Sequence, residues 1–241
     1  MQGADAVRGA LGLLTRVPAG AVGADDAARG SALFPVIGAG IGAAVGGVAV
    51  ALHPTLPGLL AAAVAVLVEL LLTGALHVDG LADTADALAA PTRERALEIM
   101  RDPRIGAFGA LAVTLDVLVR VGAIAALLER GGALVSLVAA GALGRAAILP
   151  LAAGLPYARP GGGLSELVGA GSAAVGVATA SGLAIALVGW IGAAMLAGTA
   201  IATLVTAAGC RSRFGGVTGD TLGASVELTT TTALLVSVAF R

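Results

Sequence analysis

Seven apolar stretches, each close to the length that crosses a bilayer, leave this chain few folds to choose from. They run at about 31–52, 58–78, 106–128, 132–153, 168–189, 190–208 and 220–240, and a spanning helix needs roughly 20 apolar residues. Backbone in lipid has to satisfy its own hydrogen bonds. The expected fold is therefore all-α: a polytopic membrane bundle of about seven spans. Only 12% of the residues are charged and mean hydropathy is +0.99, whereas soluble proteins carry roughly 25% charged residues. Glycine and alanine crowd the spans, and small side chains let helices approach closely in lipid. No repeat, soluble domain or low-complexity linker interrupts the pattern, so residues 1–241 read as a single integral-membrane domain.

Charge placement orients the bundle. With a cytoplasmic N-terminus, the cytoplasmic segments are 1–30, 79–105, 154–167 and 209–219. They hold ten arginines, against only Arg130 and Arg241 on the other side, as the positive-inside rule requires. Within 1–30, Ala4, Val7, Leu11 and Leu14 fall at helical spacing, which suits a short interfacial helix. Trp190 suits a membrane interface at the break between the fifth and sixth spans. Residues 1–30 lack the sustained apolar core of a cleavable signal. A net charge of −1 gives nucleic acid no basic patch to bind. The single cysteine, Cys210, excludes an internal disulfide and any cysteine-rich metal site.

The polar chemistry concentrates in Thr73-Gly-Ala-Leu-His-Val-Asp-Gly-Leu-Ala-Asp-Thr-Ala-Asp86. On a continuous helix Asp83 and Asp86 lie within ~40° of Asp79, so all three project from one face. Carboxylates this close repel one another unless a cation sits among them, and hard divalent ions prefer oxygen ligands. The face is a candidate Mg²⁺ site, with Mn²⁺ as the alternative; a solvated helix start capped by Asp79 is the structural reading. His77 lies about 160° from Asp79, so it reaches the carboxylate face only if the helix breaks near Gly80.

A second acidic element, Thr218-Gly-Asp-Thr-Leu-Gly-Ala-Ser-Val-Glu227, puts Asp220 and Glu227 on one helix face. Thr218 and Gly219 stand at its start, where backbone N–H groups can meet a phosphate, or where Thr218 simply caps the helix. Arg101 and Arg104 straddle Asp102-Pro103, a rigid turn that could aim two guanidiniums at an anion. Carboxylates for Mg²⁺ beside arginines for phosphate are the parts of a phosphoryl-transfer site. Asp116 and Arg120, four apart in one span, read as a structural ion pair. Glu69 lies in another span and calls for a partner or water. Arg145, inside a span, has to face a partner or an anionic ligand. Tyr157 and Arg159 lie in a Gly/Pro loop that could contact substrate.

Together these motifs resemble the cobalamin synthase family, the adenosylcobinamide-GDP ribazoletransferases. The matching stretches are Arg16-Val-Pro18, Phe34-Pro-Val-Ile-Gly38, Thr73-Gly-x-x-His-x-Asp-Gly-Leu-Ala-Asp-Thr-x-Asp86, Leu97-Glu-Ile-Met-Arg-Asp-x-Arg104 with Gly106 and Gly109, and Thr218-Gly-Asp-Thr-Leu-Gly-Ala-x-x-Glu-Leu228. Ala87 and Pro103 depart from the family's usual glycine and serine. The resemblance implies a Mg²⁺-dependent transferase of a bacterial or archaeal plasma membrane with its active site facing the cytoplasm. Its substrates would be adenosylcobinamide-GDP and α-ribazole or α-ribazole 5′-phosphate. Asp79, Asp83, Asp86, Asp220 and Glu227 would be metal ligands, and Asp83 or Asp86 would double as proton acceptor. Arg16, His77, Arg101, Arg104, Arg145, Tyr157, Arg159, Thr218 and Gly219 would contact substrate. A looser likeness to CDP-alcohol phosphotransferases fails because Asp83 stands where that motif has alanine. A cation-coupled transporter would want its acids at the midplane rather than at one face. The sequence carries no signal of oligomeric state.

Overall fold

Backbone-to-backbone contacts through glycine set the spacing of this bundle. The computed structural model describes residues 2–20, 24–160, 163 and 168–241; parts of the expected cytoplasmic segments 1–30 and 154–167 thus lie outside the described residues. The helices are α1 (Gln2–Leu14), α2 (Ala24–Arg29), α3 (Phe34–Leu52), α4 (Gly58–Thr73), α5 (Leu76–Leu88) and α6 (Arg93–Ile99). They continue with α7 (Ala107–Arg130), α8 (Ala133–Ala146), α9 (Ile148–Gly154), α10 (Ala170–Val188), α11 (Trp190–Gly209) and α12 (Gly219–Ala239). The only β feature among the described residues is an isolated parallel bridge between Tyr157 and Val217.

α8 runs through the middle, with Ser136, Leu137 and the whole stretch 139–146 buried. α3 lies directly on it. A Cβ added at Gly38 would sit 2.2 Å from the Gly141 carbonyl oxygen, and one at Gly42 would sit 2.1 Å from that of Leu137. Side chains on these residues would push the helices apart, so the small residues let them dock where apolar burial drives nothing. Leucines such as Leu67, Leu71, Leu118 and Leu204 are more than half exposed on the outer surface. That belt is disfavoured in water and at home in lipid.

Among the described residues, six helical stretches are long and apolar enough to cross a membrane: Ser31–Leu52, Ala107–Arg130, Ala133–Gly154, Ala170–Val188, Trp190–Phe214 and Gly219–Ala239. The break between the fifth and sixth expected spans falls at Gly189, beside Trp190, as the sequence suggests. The second span departs from expectation. It does not run to residue 78 into the acidic motif: α4 stops at Thr73, and α5 leaves it at 91°. Gly74 and Ala75 are both left-handed, at φ 63° and 57°. Ala75 N–H donates to the Leu70 carbonyl at 2.9 Å and Gly74 N–H to that of Leu71 at 3.4 Å, which closes the helix end. A left-handed alanine costs about 1 kcal/mol; here it turns the chain through a right angle. Only together do α4 and α5 have the length and polarity of a span, broken at Gly74–Ala75.

A second apolar cluster packs that end. Leu14 of α1, Phe34, Met100, Leu149, Leu151, Phe214, Val217 and Leu222 form one buried group. α1 meets it through Ala10 and Leu14, while Val7 is 42% exposed. The expected stripe of Ala4, Val7, Leu11 and Leu14 is therefore shifted, because Gly9 seats α1 on the backbone of Asp26 and Ala27.

Candidate active site

α5 and α12 meet where neither has a side chain in the way. A Cβ at Gly80 would lie 2.6 Å from the Asp220 carbonyl oxygen. This crossing brings two carboxylate-bearing helices together from opposite ends of the chain. α12 begins at a reciprocal cap: Thr218 Oγ1 accepts from Thr221 N–H at 3.2 Å, and Thr218 N–H donates to Thr221 Oγ1 at 2.8 Å. Thr218 is fully buried, so its role is the cap rather than substrate contact. Gly219, next to it, is exposed.

The four aspartates divide by what they already hold. Asp86 Oδ2 accepts from Gly106 N–H at 2.7 Å and Asp86 Oδ1 from Gly109 N–H at 2.8 Å. It thereby clamps the start of α7, and a Cβ at either glycine would collide with its carboxylate. Asp220 Oδ2 accepts from Arg159 Nη2 at 2.8 Å and from Thr218 Oγ1 at 3.3 Å. Asp79 and Asp83, one helical turn apart, carry no hydrogen bond or ion pair among the described residues. Burial, together with the charges of Asp79, Asp220 and Asp86, pushes the Asp83 carboxyl up to about 6, opposed by Arg159. Asp83 thus lies within electrostatic reach of the other three carboxylates.

Among the described residues, no three acidic, histidine or cysteine side chains stand at metal-ligand spacing. A Mg²⁺ ion nonetheless commonly takes only one or two carboxylates and fills its shell with water and substrate phosphate oxygens. The free pair Asp79 and Asp83 matches that donor set. The larger set expected from sequence does not form. Asp86 is committed to backbone amides, and Glu227 is elsewhere.

Glu227 lies two helical turns below Asp220, 3% exposed inside the bundle. Its carboxylate accepts from Arg120 Nη1, and Arg120 Nη2 donates to Glu69. Asp116 Oδ2 stands 3.8 Å from Arg120 Nη1, and Asp116 Oδ1 accepts from Thr231 Oγ1 at 2.5 Å. Arg145 Nη2 donates to Glu69 Oε1 at 3.3 Å. The spacing of seven puts Glu227 on the right face but about 10 Å deeper. Glu227 and Arg145 thus belong to a buried ionic cluster joining α4, α7, α8 and α12. The Asp116–Arg120 pair holds as expected and is one edge of that cluster.

The remaining expected contacts spread around the acids. Arg159 reaches them through Asp220. Tyr157 lies on the same loop, which Val217 N–H pins by donating to Pro156 O at 2.9 Å. Arg104 folds onto Asp102 with Nη2 2.7 Å from Oδ2, an ion pair at the surface in which the arginine stays exposed. Arg101 is exposed beside Met100, whose sulfur lies 3.7 Å from Thr218 Oγ1. Arg16 packs over Gly74 at the bend, where a Cβ would meet its Nε at 2.0 Å. No break occurs at Gly80, so His77 stays on the far face of α5, 3% exposed.

Two arginines that sequence reading had not placed hold this end together. Arg93 Nη2 donates to Ala158 O at 3.2 Å. Arg213 Nη2 caps the end of α5 at the carbonyls of Leu88 (2.7 Å) and Ala90 (2.9 Å). The density of arginine in segments 79–105 and 209–219 was the signal for both.

Replacing Gly80 with alanine is expected to separate Asp83 from Asp220 and Arg159 by about 1 Å, and misplacement on that scale can cost about 10²-fold in rate. Turnover by membrane-inserted Gly80→Ala checks this, and wild-type turnover would refute the role of the crossing.

The cobalamin-5-phosphate synthase family model matches residues 6–238. An adenosylcobinamide-GDP ribazoletransferase from Azorhizobium caulinodans is 40% identical over 240 residues, covering 92% of this chain and 90% of its own. One from Pseudomonas paraeruginosa is 40% identical over 242 residues, covering 95% and 96%. One from Escherichia coli is 39% identical over 212 residues, covering 83% of each. No solved structure matches the chain.

Proposed function

The chain belongs to the cobalamin-5-phosphate synthase family, and from that membership we propose that it joins adenosylcobinamide-GDP to α-ribazole or α-ribazole 5′-phosphate. The ribose hydroxyl oxygen attacks the cobinamide-side phosphorus. The bond from that phosphorus to the bridging oxygen breaks, and GMP leaves with that oxygen. The observation that carries this reading is the pair of uncommitted carboxylates, Asp79 and Asp83, facing the Asp220–Arg159 ion pair across the Gly80 crossing. Asp83, which carries no hydrogen bond and lies within electrostatic reach of Asp79, Asp86 and Asp220, takes the hydroxyl proton. Arg159 is near enough to share its guanidinium between Asp220 and a phosphate oxygen, and exposed Arg101 flanks the approach. Asp79, with Asp83, would hold a Mg²⁺ or Mn²⁺ ion, whose chemistry is to neutralise the diphosphate and the departing GMP.

Purified protein given both substrates and Mg²⁺ is expected to release GMP in step with the cobalamin product. No product from this pair, with transfer from a CDP-alcohol instead, would move the chain to the other chemistry.

Protons compete with the cation at Asp83. Its raised pKa means that protonation stabilises the fold; the contribution is full below about 3.8 and is lost as pH rises through about 6. Mg²⁺ affinity has the opposite sense and should fall about tenfold per pH unit below 6. Calorimetric Mg²⁺ titration at pH 5 and 7 measures it, and equal affinities would remove Asp83 from the site.

We also place the site on the cytoplasmic face of the plasma membrane, on the arginine asymmetry. Cysteines at Glu94 and Thr55, both exposed, should label from opposite sides of the membrane, over little background from buried Cys210. Same-side labelling would overturn the topology.

A further inference from the structure

Beside the acids lies a cavity of about 210 Å³ walled by Leu13 and Leu14 of α1, Leu76 and His77 of α5, Ile148 of α9 and Leu222 of α12, with Asp79, Gly219 and Asp220 at one edge. Its walls are mostly hydrocarbon, with Asp79 and Asp220 polar at the edge and His77 polar in the wall. His77 is 3% exposed; its Nδ1 is sealed off with no hydrogen-bond partner among the described residues, so Nε2, which no protein group pairs, is the ring nitrogen that a ligand can meet.

The reaction proposed above brings three bulky groups to the site, and the cavity suits only one. A corrin ring far exceeds this volume. Guanine carries donors and acceptors around its whole edge, and leucine and isoleucine walls would leave most of them unpaired. A benzimidazole is flat and apolar, and beyond its glycosidic nitrogen it has one ring nitrogen, an acceptor. We propose that this cavity binds the base of the acceptor nucleoside and that His77 donates a hydrogen bond to its free ring nitrogen. The inference rests on the functional reading above and adds the place and orientation of one substrate. With the base beneath α1, its ribose lies at the Asp79/Asp220 edge, where the hydroxyl meets Asp83. His77 is then a specificity-determining residue, not a catalytic one.

Two measurements on purified full-length protein test it. The first is equilibrium binding of α-ribazole alone, read by the intrinsic fluorescence of the base. The second is steady-state GMP release with α-ribazole and with the analogue whose free ring nitrogen is replaced by CH. The wild type should bind α-ribazole and disfavour the analogue at least tenfold in kcat/KM, the sign of a polar group left unpaired. His77→Phe should lose that discrimination and His77→Asn should restore part of it. Leu76→Trp, at a half-exposed wall position, should raise the KM for α-ribazole at least tenfold and leave the KM for adenosylcobinamide-GDP unchanged; Leu13→Trp does the same from the opposite wall.

Transfer by the wild type with undiminished analogue discrimination in His77→Phe, or with an unchanged α-ribazole KM in both tryptophan variants, overturns the base site and leaves the functional reading standing. Binding that the tryptophans abolish, without any transfer, overturns the functional reading and leaves the site. Absence of both binding and transfer overturns both.

Discussion

Asp83→Asn is expected to lower transfer by about 10²–10⁴-fold, the range for loss of a positioned proton acceptor, while the protein still inserts and stays folded. The substitution is nearly isosteric and removes one negative charge from a crowded group, so mutual repulsion with Asp79 and Asp220 falls. A gain in thermal stability alongside the lost turnover would separate a functional carboxylate from a structural one. Asp86→Asn is the control. It loses one acceptor for the amides of Gly106 and Gly109, so stability and activity should fall together. Normal GMP release by Asp83→Asn would remove this residue from the chemistry.

The second large effect is expected far from the site. Arg120→Met should destabilise the protein by about 3–5 kcal/mol, because removing one partner leaves buried opposite charges uncompensated. Here Glu69 and Glu227 both lose their shared guanidinium, and Asp116 loses its neighbour. Thermal unfolding in detergent reads the loss. Adding Glu227→Gln to Arg120→Met should recover part of it, since the double variant carries one fewer unpaired charge. A wild-type melting temperature for Arg120→Met alone would show that the cluster contributes nothing to stability.

The spans were legible in the sequence because lipid imposes a length and a polarity that any sliding window detects. The right-angle turn at Gly74–Ala75 was not. Two small apolar residues inside an apolar run look like continued helix, and only the left-handed backbone reveals that the span ends at Thr73. The acidic face of α5 was readable from its spacing, and Asp220 as its counterpart from the second motif. What spacing could not supply was depth or commitment. Asp220 and Glu227 share a face, yet two turns separate a water-accessible acid from one sunk beside Arg120. Asp86 looks identical to Asp79 in sequence and differs only because Gly106 and Gly109 come within reach of its oxygens. The angular distance of His77 from Asp79 was also readable, but not the cavity that both residues line.

The buried charge cluster also bears on how the protein is made. Glu69 and Arg120 enter the membrane with α4 and α7, long before Glu227 is synthesised. At about 5–20 residues per second, the hundred-odd residues between Arg120 and Glu227 take roughly 5–20 seconds. During that interval Arg120 has only its earlier partners. An acid at a helix centre costs roughly 2.5–3.5 kcal/mol to insert, so α12 gains from entering lipid already docked on α7. The last helix is thus drawn to its place by a charge waiting for it. The same docking event delivers Asp220 to Gly80, so catalytic competence would arrive with the final insertion step.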